Sequence, residues 1–358
     1  MDSVMPFSTR SPALPLALLA GLLASAFTPA AGPAQDRRDE QFYYPGAFNW
    51  RFLALYPEAA RLFNAFDYGH AVLYEKLLTE GAGAKPALAK EYRYLTTDLL
   101  VRAPRFAIAE EAVMPTYAKE AWQAKQMFDW AHVLHRQIYD VYADDRLGMA
   151  QKDALIERLT DYYLSRRDYA FAAVPKSMAL MDGQSFSRTF RRREPRFNGL
   201  IWAYHWLQIG LYEPMLQARS RAEAKAGVGA AIARFWQMVH QERYPATMPM
   251  ASAIAPEFSR RHPRAAIIFD NLHMMHDIIS DVLASPMIPE GRKREMIYRQ
   301  LAEFRSPHTN VIPLDEWRDM AVHMGGVAAM GGPVVGLLGP LTPGKPAAPA
   351  LPGDHRHH

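Results

Sequence analysis

The sequence predicts an all-α protein, a multi-helix bundle with a central four-helix core and long irregular connections. Between residues 43 and 319, apolar residues recur at spacings of three and four, as on one face of a helix. The alternation of Val, Ile and Thr that is typical of strands is not found in this region. Hydrophobic residues make up 49% of the 358 residues, which is enough to bury a large core.

Apolar spacing predicts nine helices in chain order. They span 57–79, 87–101, 104–112, 115–142, 151–166, 195–219, 222–241, 265–284 and 289–305. Several begin at or beside a proline, where the missing backbone N–H is tolerated, as at Pro57, Pro115 and Pro195. The stretches 81–87 and 181–199 are predicted loops, and the Pro-rich segment 244–263 is expected to cover an opening.

The two ends of the chain differ from the body. Residues 1–34 are predicted to be a signal peptide or N-terminal anchor, because Arg10 precedes the apolar stretch 14–27. Small residues at Ala24 and Ala26, or later at Ala30 to Ala34, offer cleavage sites. This pattern predicts a periplasmic or secreted protein. Residues 35–320 are predicted to form a single helical domain, and residues 321–358 a Gly/Pro/Ala-rich tail.

Composition excludes several classes of site. The chain has no cysteine, so disulfides, thiolate metal sites and covalently attached c-type haem are excluded. A formal net charge of +4 is mild for this length and gives no indication of nucleic-acid binding. No P-loop, G-x-S-x-G or dinucleotide fingerprint is found.

One motif, Phe-Asp-x-x-His, occurs three times, starting at Phe66, Phe128 and Phe269. On a helix its Asp and His share a face, and a fourth apolar helix carries His205. His276 lies at the edge of the polar stripe of its helix. The candidate metal ligands are Asp67, His70, Asp129, His132, His135, His205, Asp270, His273, His276 and Asp277.

Buried carboxylates and imidazoles are costly unless they are paired or bind a metal, so four helices that carry them are expected to meet. This predicts a mono- or dinuclear transition-metal centre in the bundle, with Fe favoured over Zn, Cu or Mn. A metal-free polar network and unrelated core histidines are the alternatives. Tyr74 and Tyr139 lie one helical turn from histidines and Glu213 lies beside the His205 stripe, which makes these three the candidate catalytic residues.

The Asp-x-x-His pattern resembles in part the Glu-x-x-His motif of the ferritin-like di-iron bundles, but Asp replaces Glu in every copy. No hemerythrin spacing is found, and no residue roles follow from the resemblance.

Three classes of function remain open. The first is an oxidoreductase that uses oxygen or peroxide, the second is a zinc-dependent hydrolase, and the third is a non-catalytic metal- or haem-binding subunit of a periplasmic complex. We expect a small-molecule substrate, no nucleic acid, and proximity to a membrane through either end of the chain. The oligomeric state is left open.

A run of arginines lies in the predicted loop before residue 199. It contains Arg188, Arg191, Arg192 and Arg193. We interpret it as a solvated loop, with the binding of a phosphate, a carboxylated substrate or an acidic partner as the alternative.

Overall fold

The computed structural model describes residues 50–335, and this part of the chain is helical. Its one β-type pairing is an isolated bridge between Lys176 and Val311, so the predicted all-α bundle is confirmed. The predicted signal peptide or anchor, and the tail after Val335, lie outside the described residues. Within 50–335, no helix combines the length and the hydropathy needed to cross a membrane.

The helices vary from one turn to more than six. In chain order they are α1 Trp50–Leu55, α2 Pro57–Glu80, α3 Lys85–Tyr94, α4 Glu110–Val113, α5 Pro115–Glu120, α6 Trp122–Ala143, α7 Met149–Ser165, α8 Ala179–Asp182, α9 Thr189–Arg193, α10 Pro195–Gly210, α11 Tyr212–Gln217, α12 Arg221–Gln241, α13 Ala251–Ile254, α14 Pro256–Arg261, α15 Pro263–Ala284, α16 Glu290–Arg305, α17 Leu314–His323 and α18 Gly326–Ala329. A 3₁₀ turn at Gly81–Gly83 and a π-helical turn at Leu95–Leu99 flank α3.

Four predicted helices differ from the observed ones. The predicted helix 87–101 is α-helical only to Tyr94 and continues as the π-helical turn Leu95–Leu99. The predicted helix 195–219 is interrupted at Leu211, because Pro214 has no N–H to donate to the carbonyl of Gly210. The predicted helix 115–142 is interrupted at Ala121. The segment 104–112 is helical only from Glu110 onward. At its start, the carbonyl of Pro104 accepts a hydrogen bond from the Asn64 side chain.

Four helices form the centre of the fold, namely α2, α6, α10 and α15, and we call them the histidine helices. Residues 124–143 of α6, 197–210 of α10 and 265–284 of α15 are buried without interruption. A helix that is buried on all sides belongs to the interior of a large domain. Their polar side chains therefore have to find partners inside the protein.

Other helices cover this centre. Helix α7 packs on α6, α16 on α15, and α12 on both α10 and α11. The chain then returns across the centre in residues 330–335, which we call the C-terminal strap. Trp206 Nε1 donates to the carbonyl of Gly332 at 2.8 Å, and Arg234 donates to that of Gly331. The strap thereby closes the side of the bundle formed by α10.

Candidate metal centre

Six histidines from the four histidine helices meet in the interior. The ring centroids of His70 and His276 are 3.9 Å apart, and so are those of His205 and His273. His132 stacks on His70 at 5.9 Å. Because at least one of these histidines comes from each of the four helices, the predicted convergence is a feature of the structure.

Three of these histidines are arranged as a metal-binding group, and we call them the histidine triad. One ring nitrogen from each of His70, His205 and His276 lies within 4.8 Å of the other two, and all three residues are buried. His205 Nε2 and His276 Nδ1 are 3.0 Å apart. Nitrogen ligands around a tetrahedral ion are about 3.4 Å apart, so the His205–His276 pair is slightly closer than this spacing and the rings would have to adjust to bind one.

Most nitrogens of the six rings have no hydrogen-bond partner among the described residues. They are both nitrogens of His70 and His273 and one nitrogen each of His132, His135, His205 and His276. Native proteins rarely leave buried polar atoms unpaired, and a bound ion is one of their usual partners. The group therefore fits a bound cation better than a self-sufficient hydrogen-bond network.

Burial also fixes the protonation state of these rings. Burial lowers the pKa of His273 to about 3, and it lowers the pKa of His70, His205 and His276 well below the ordinary value, with the neighbouring imidazoles adding to the effect. The rings are neutral at pH 7, which is the form that binds metal.

A second group contains carboxylates, and we call it the mixed cluster. One ligand atom from each of Asp67, Glu110 and His132 lies within 4.8 Å of the others, and all three residues are buried. Asp67 Oδ1 and His132 Nε2 have no hydrogen-bond partner among the described residues. The stacking of His132 on His70 places this cluster beside the histidine triad.

Two buried cations flank the mixed cluster. Arg136 donates to Oδ2 of Asp67, and Lys125 to Oδ2 of Asp129. Burial, together with Asp129 and Asp67, raises the pKa of Glu110 well above its ordinary value. In the absence of an ion Glu110 therefore holds a proton, and a cation in the cluster would displace it.

Sequence reasoning missed Glu110, Lys125 and Arg136. A signal was present for the two cations, because Lys125 lies one turn before Asp129 and Arg136 one turn after His132 on the same helix. No local signal pointed to Glu110, which belongs to the one-turn helix α4 and reaches the site only through the path of the preceding loop.

The remaining two predicted aspartates bind other donors. Asp270 accepts hydrogen bonds from the Ala251 N–H at 2.7 Å and from Trp317 Nε1 at 2.8 Å. Asp277 accepts from Trp202 Nε1 with both oxygens, at 3.1 and 3.0 Å. Burial raises the pKa of both carboxyls to about 7. Their contacts anchor neighbouring segments to α15.

The phenylalanine of each motif packs against an imidazole. Phe66 lies 3.8 Å from His70, and Phe269 lies 3.4 Å from His135, between ring centroids. Phe128 meets His276 edge-on at 4.3 Å. These rings wall the histidines off from polar surroundings.

The three candidate catalytic residues lie in different places. Tyr74 stacks on His70 at 6.1 Å and lies 6.4 Å from His276, next to the histidine triad. Tyr139 donates to the carbonyl of Gln208. Glu213 accepts from the Phe258 N–H at 2.8 Å and thereby binds the start of α14.

His276 is more central than its position at the edge of the stripe suggests. It contacts His70 and His205, whereas His273 stacks on His205 and lies 6.2 Å from His276. The reason is that α15 has neighbours on every side, so a residue at the edge of its stripe still faces another histidine helix.

Comparison with protein-family models, with curated proteins and with solved structures finds no match to this chain. The functional argument therefore depends on the residues of the site alone.

Proposed function

We propose that this chain is an exported metalloprotein whose bundle interior holds a transition-metal centre, and that it is an oxidoreductase using oxygen or peroxide. The histidine triad carries the proposal, because three neutral, buried imidazoles converge on one point. Iron is favoured, since the adjoining mixed cluster adds carboxylate oxygens to the imidazole nitrogens.

The arrangement supports a dinuclear centre. The histidine triad offers nitrogen ligands for one ion, and the mixed cluster offers two carboxylates and His132 for another. Such ions would supply redox chemistry, while this chain's own residues bind them and exclude water. Tyr74 is the candidate hydrogen-bond donor beside the triad, because burial keeps its pKa well above 10 and its hydroxyl therefore stays protonated.

Metal analysis of untagged protein tests the proposal. We expect stoichiometric iron in the wild type and a loss of most of it in His205→Ala and His276→Ala. The matched control is His262→Ala, because His262 is also buried but has both ring nitrogens 3.1 Å from carboxylates, Glu157 and Asp153. Wild-type protein that is purified without any stoichiometric transition metal would refute the metal centre.

A zinc-dependent hydrolase is the second candidate. It is favoured by Glu110, a buried carboxyl with a raised pKa in the mixed cluster, which is the kind of group that serves as a general base. A colourless protein that contains only zinc and hydrolyses esters or amides would support this candidate over the oxidoreductase.

A haem-binding subunit is less well supported. A porphyrin needs a planar slot, whereas the rings of His70 and His276 lie 3.9 Å apart and Phe66 and Phe128 pack against them. A Soret band on addition of haem would favour this alternative.

Export to the periplasm or beyond is proposed on the sequence of residues 1–34 alone. Cell fractionation, with N-terminal sequencing of the mature protein, tests it. Full-length protein in the cytoplasm would contradict it.

A further inference from the structure

An arginine-lined cleft lies beside the bundle, apart from the metal ligands. It has a volume of about 950 Å³ and opens between α9, the first half of α10 and residues 242–248. Two carboxylates, Asp182 and Glu242, line the cleft. Four arginines line it as well, namely Arg188, Arg191, Arg192 and Arg196. Asp182 pairs with Arg188 and Arg191, and Glu242 pairs with Arg196, so four guanidinium groups face two carboxylates and the lining keeps an excess of positive charge.

Two of the arginines retain unused hydrogen-bonding capacity. Arg192 donates only to backbone carbonyls within residues 50–335, those of Arg188 and Ser187. Arg191 is largely buried, and its Nε has no hydrogen-bond partner in that part of the chain. A guanidinium without a full set of acceptors is suited to binding an anionic group.

The arginine segment is fixed to the central bundle. Buried Asp281 of α15 accepts from the N–H groups of Arg188 and Phe190, each at 2.7 Å. Arg188 has a φ of +62°, a left-handed conformation that is unfavourable for a residue with a side chain. The carboxylate holds this turn in place, so the arginines face the cleft from a rigid support.

The cleft also has apolar lining residues. They include Trp202, Met248 and Tyr244. The Tyr244 ring lies directly on α10 because Gly199 has no side chain, and a Cβ there would come within 2.6 Å of the ring. Nearby, the Thr247 hydroxyl is buried and has no partner among the described residues.

We propose that this cleft binds an organic anion, with its carboxylate, sulfonate or phosphate on the arginines and its apolar body against Trp202 and Tyr244. Arginines in excess and apolar side chains line one cavity, and Arg191 lies over the ring of Trp202 at 5.9 Å from its centroid, which matches such a molecule. This binding is independent of the metal centre. Trp202 lines the cleft and donates to Asp277, so it fixes this part of the lining to α15.

Fluorescence titration with anilinonaphthalene sulfonate, an aromatic anion, tests the proposal on the full chain. We expect saturable binding of one molecule per chain. The double variant Arg191→Gln/Arg192→Gln should bind about ten-fold more weakly, because two charge-assisted contacts are lost. The matched control is Arg292→Gln/Arg299→Gln on α16, where two exposed arginines share Glu295, and its affinity should equal that of the wild type.

Two further probes separate the charge from the apolar body. Uncharged phenylnaphthylamine should bind much more weakly, and inorganic phosphate should compete with the sulfonate at higher concentration. Thr247→Val, which keeps the shape of the side chain, should weaken sulfonate binding several-fold. Equal binding of the uncharged probe, or unchanged affinity in the double arginine variant, would overturn the proposal.

Discussion

At the scale of single residues, each position of Phe-Asp-x-x-His has its own role. The histidines point into a shared interior, and the phenylalanines pack against imidazoles. The aspartates accept hydrogen bonds. Asp67 accepts from Arg136, Asp129 accepts from Lys125, and Asp270 accepts from the Ala251 N–H and from Trp317. In each copy of the motif, the histidine is buried and the aspartate is held by a hydrogen-bond donor.

His70 provides a test of whether the interior is built for an ion. Both of its ring nitrogens lack partners among the described residues, so the metal-free protein bears the cost of their desolvation. His70→Leu should therefore raise the free energy of unfolding of the metal-free protein by about 1 to 3 kcal/mol. The same variant should lose metal. Urea unfolding in chelator, together with metal analysis, measures both effects.

His262→Leu is the control for this prediction. Its ring nitrogens are both engaged by carboxylates, so its replacement should not stabilise the protein. If His70→Leu destabilised the metal-free protein as much as His262→Leu did, the interpretation of the unpaired nitrogens would be wrong.

Asp270 should produce a specific dependence of stability on pH. Burial raises its pKa from 3.8 to about 7 in the folded protein, despite the hydrogen bonds from Ala251 and Trp317. Since the folded state keeps a proton that the unfolded state releases, the contribution of Asp270 to stability is fully present below pH 3.8 and is lost as the pH rises through 7. The loss is about 1.4 kcal/mol per pH unit within this range.

Asp270→Asn removes this titration, so the difference between wild type and variant isolates it from the other buried groups. The free energy of unfolding of the wild type, minus that of the variant, should fall between about pH 4 and pH 7 and then stay constant. Urea titrations at a series of pH values measure this difference. A difference that does not change with pH would show that the folded carboxyl titrates near its ordinary value.

At the scale of elements, α10 depends on the C-terminal strap as well as on the other histidine helices. Trp206 and Gly210, one turn apart on α10, both contact the strap. Gly331 and Gly332 adopt φ values of +105° and +90°, which favour glycine. Glycines that looked only like helix breakers in the sequence therefore provide a close contact.

Gly210→Ala should destabilise the protein by about 1 to 3 kcal/mol. A Cβ at this position would lie 2.6 Å from Val334 Cγ2, so the strap would have to move. Gly229→Ala in α12 is the matched control, because nothing lies within 4 Å of its Cβ. This control should stabilise by up to about 1 kcal/mol through helix propensity. Denaturant unfolding measures both variants.

Val334→Ala in the Gly210→Ala background should recover part of the lost stability, because it removes the methyl groups that clash. No recovery would indicate that the effect of Gly210→Ala arises elsewhere.

At the scale of the whole molecule, the site joins five helices from distant parts of the sequence. The histidine triad takes one ligand each from α2, α10 and α15, and the mixed cluster adds α4 and α6. Metal binding is therefore expected to stabilise the folded bundle as a unit. The free energy of unfolding should rise with the logarithm of the ratio of metal concentration to its dissociation constant.

Hydrogen exchange with and without chelator tests this expectation. Removal of metal should increase exchange in α2, α6, α10 and α15 together, because they share the ligands. Exchange in the exposed α3 should change little, since it carries no ligand of either cluster. An increase confined to one histidine helix would contradict a centre shared among all four.

Local periodicity determined the helical class and most helix positions, because the spacing of apolar residues along the chain decides whether a helix is amphipathic or wholly apolar. It also identified four helices whose imidazoles had to meet, since the cost of burying a polar group does not depend on the details of the fold. The break after Gly210 could also have been predicted from the sequence, because Pro214 has no N–H to donate.

Only the tertiary structure decided which side chains meet. Spacing along a helix fixes a face, but the rotation of one helix against the next and the path of the loops depend on contacts between distant segments. For this reason the sequence pointed to His273 more than to His276, whereas the packing places His276 in the triad. For the same reason Glu110, carried by one turn of helix after an irregular loop, joins Asp67 and His132 in the mixed cluster.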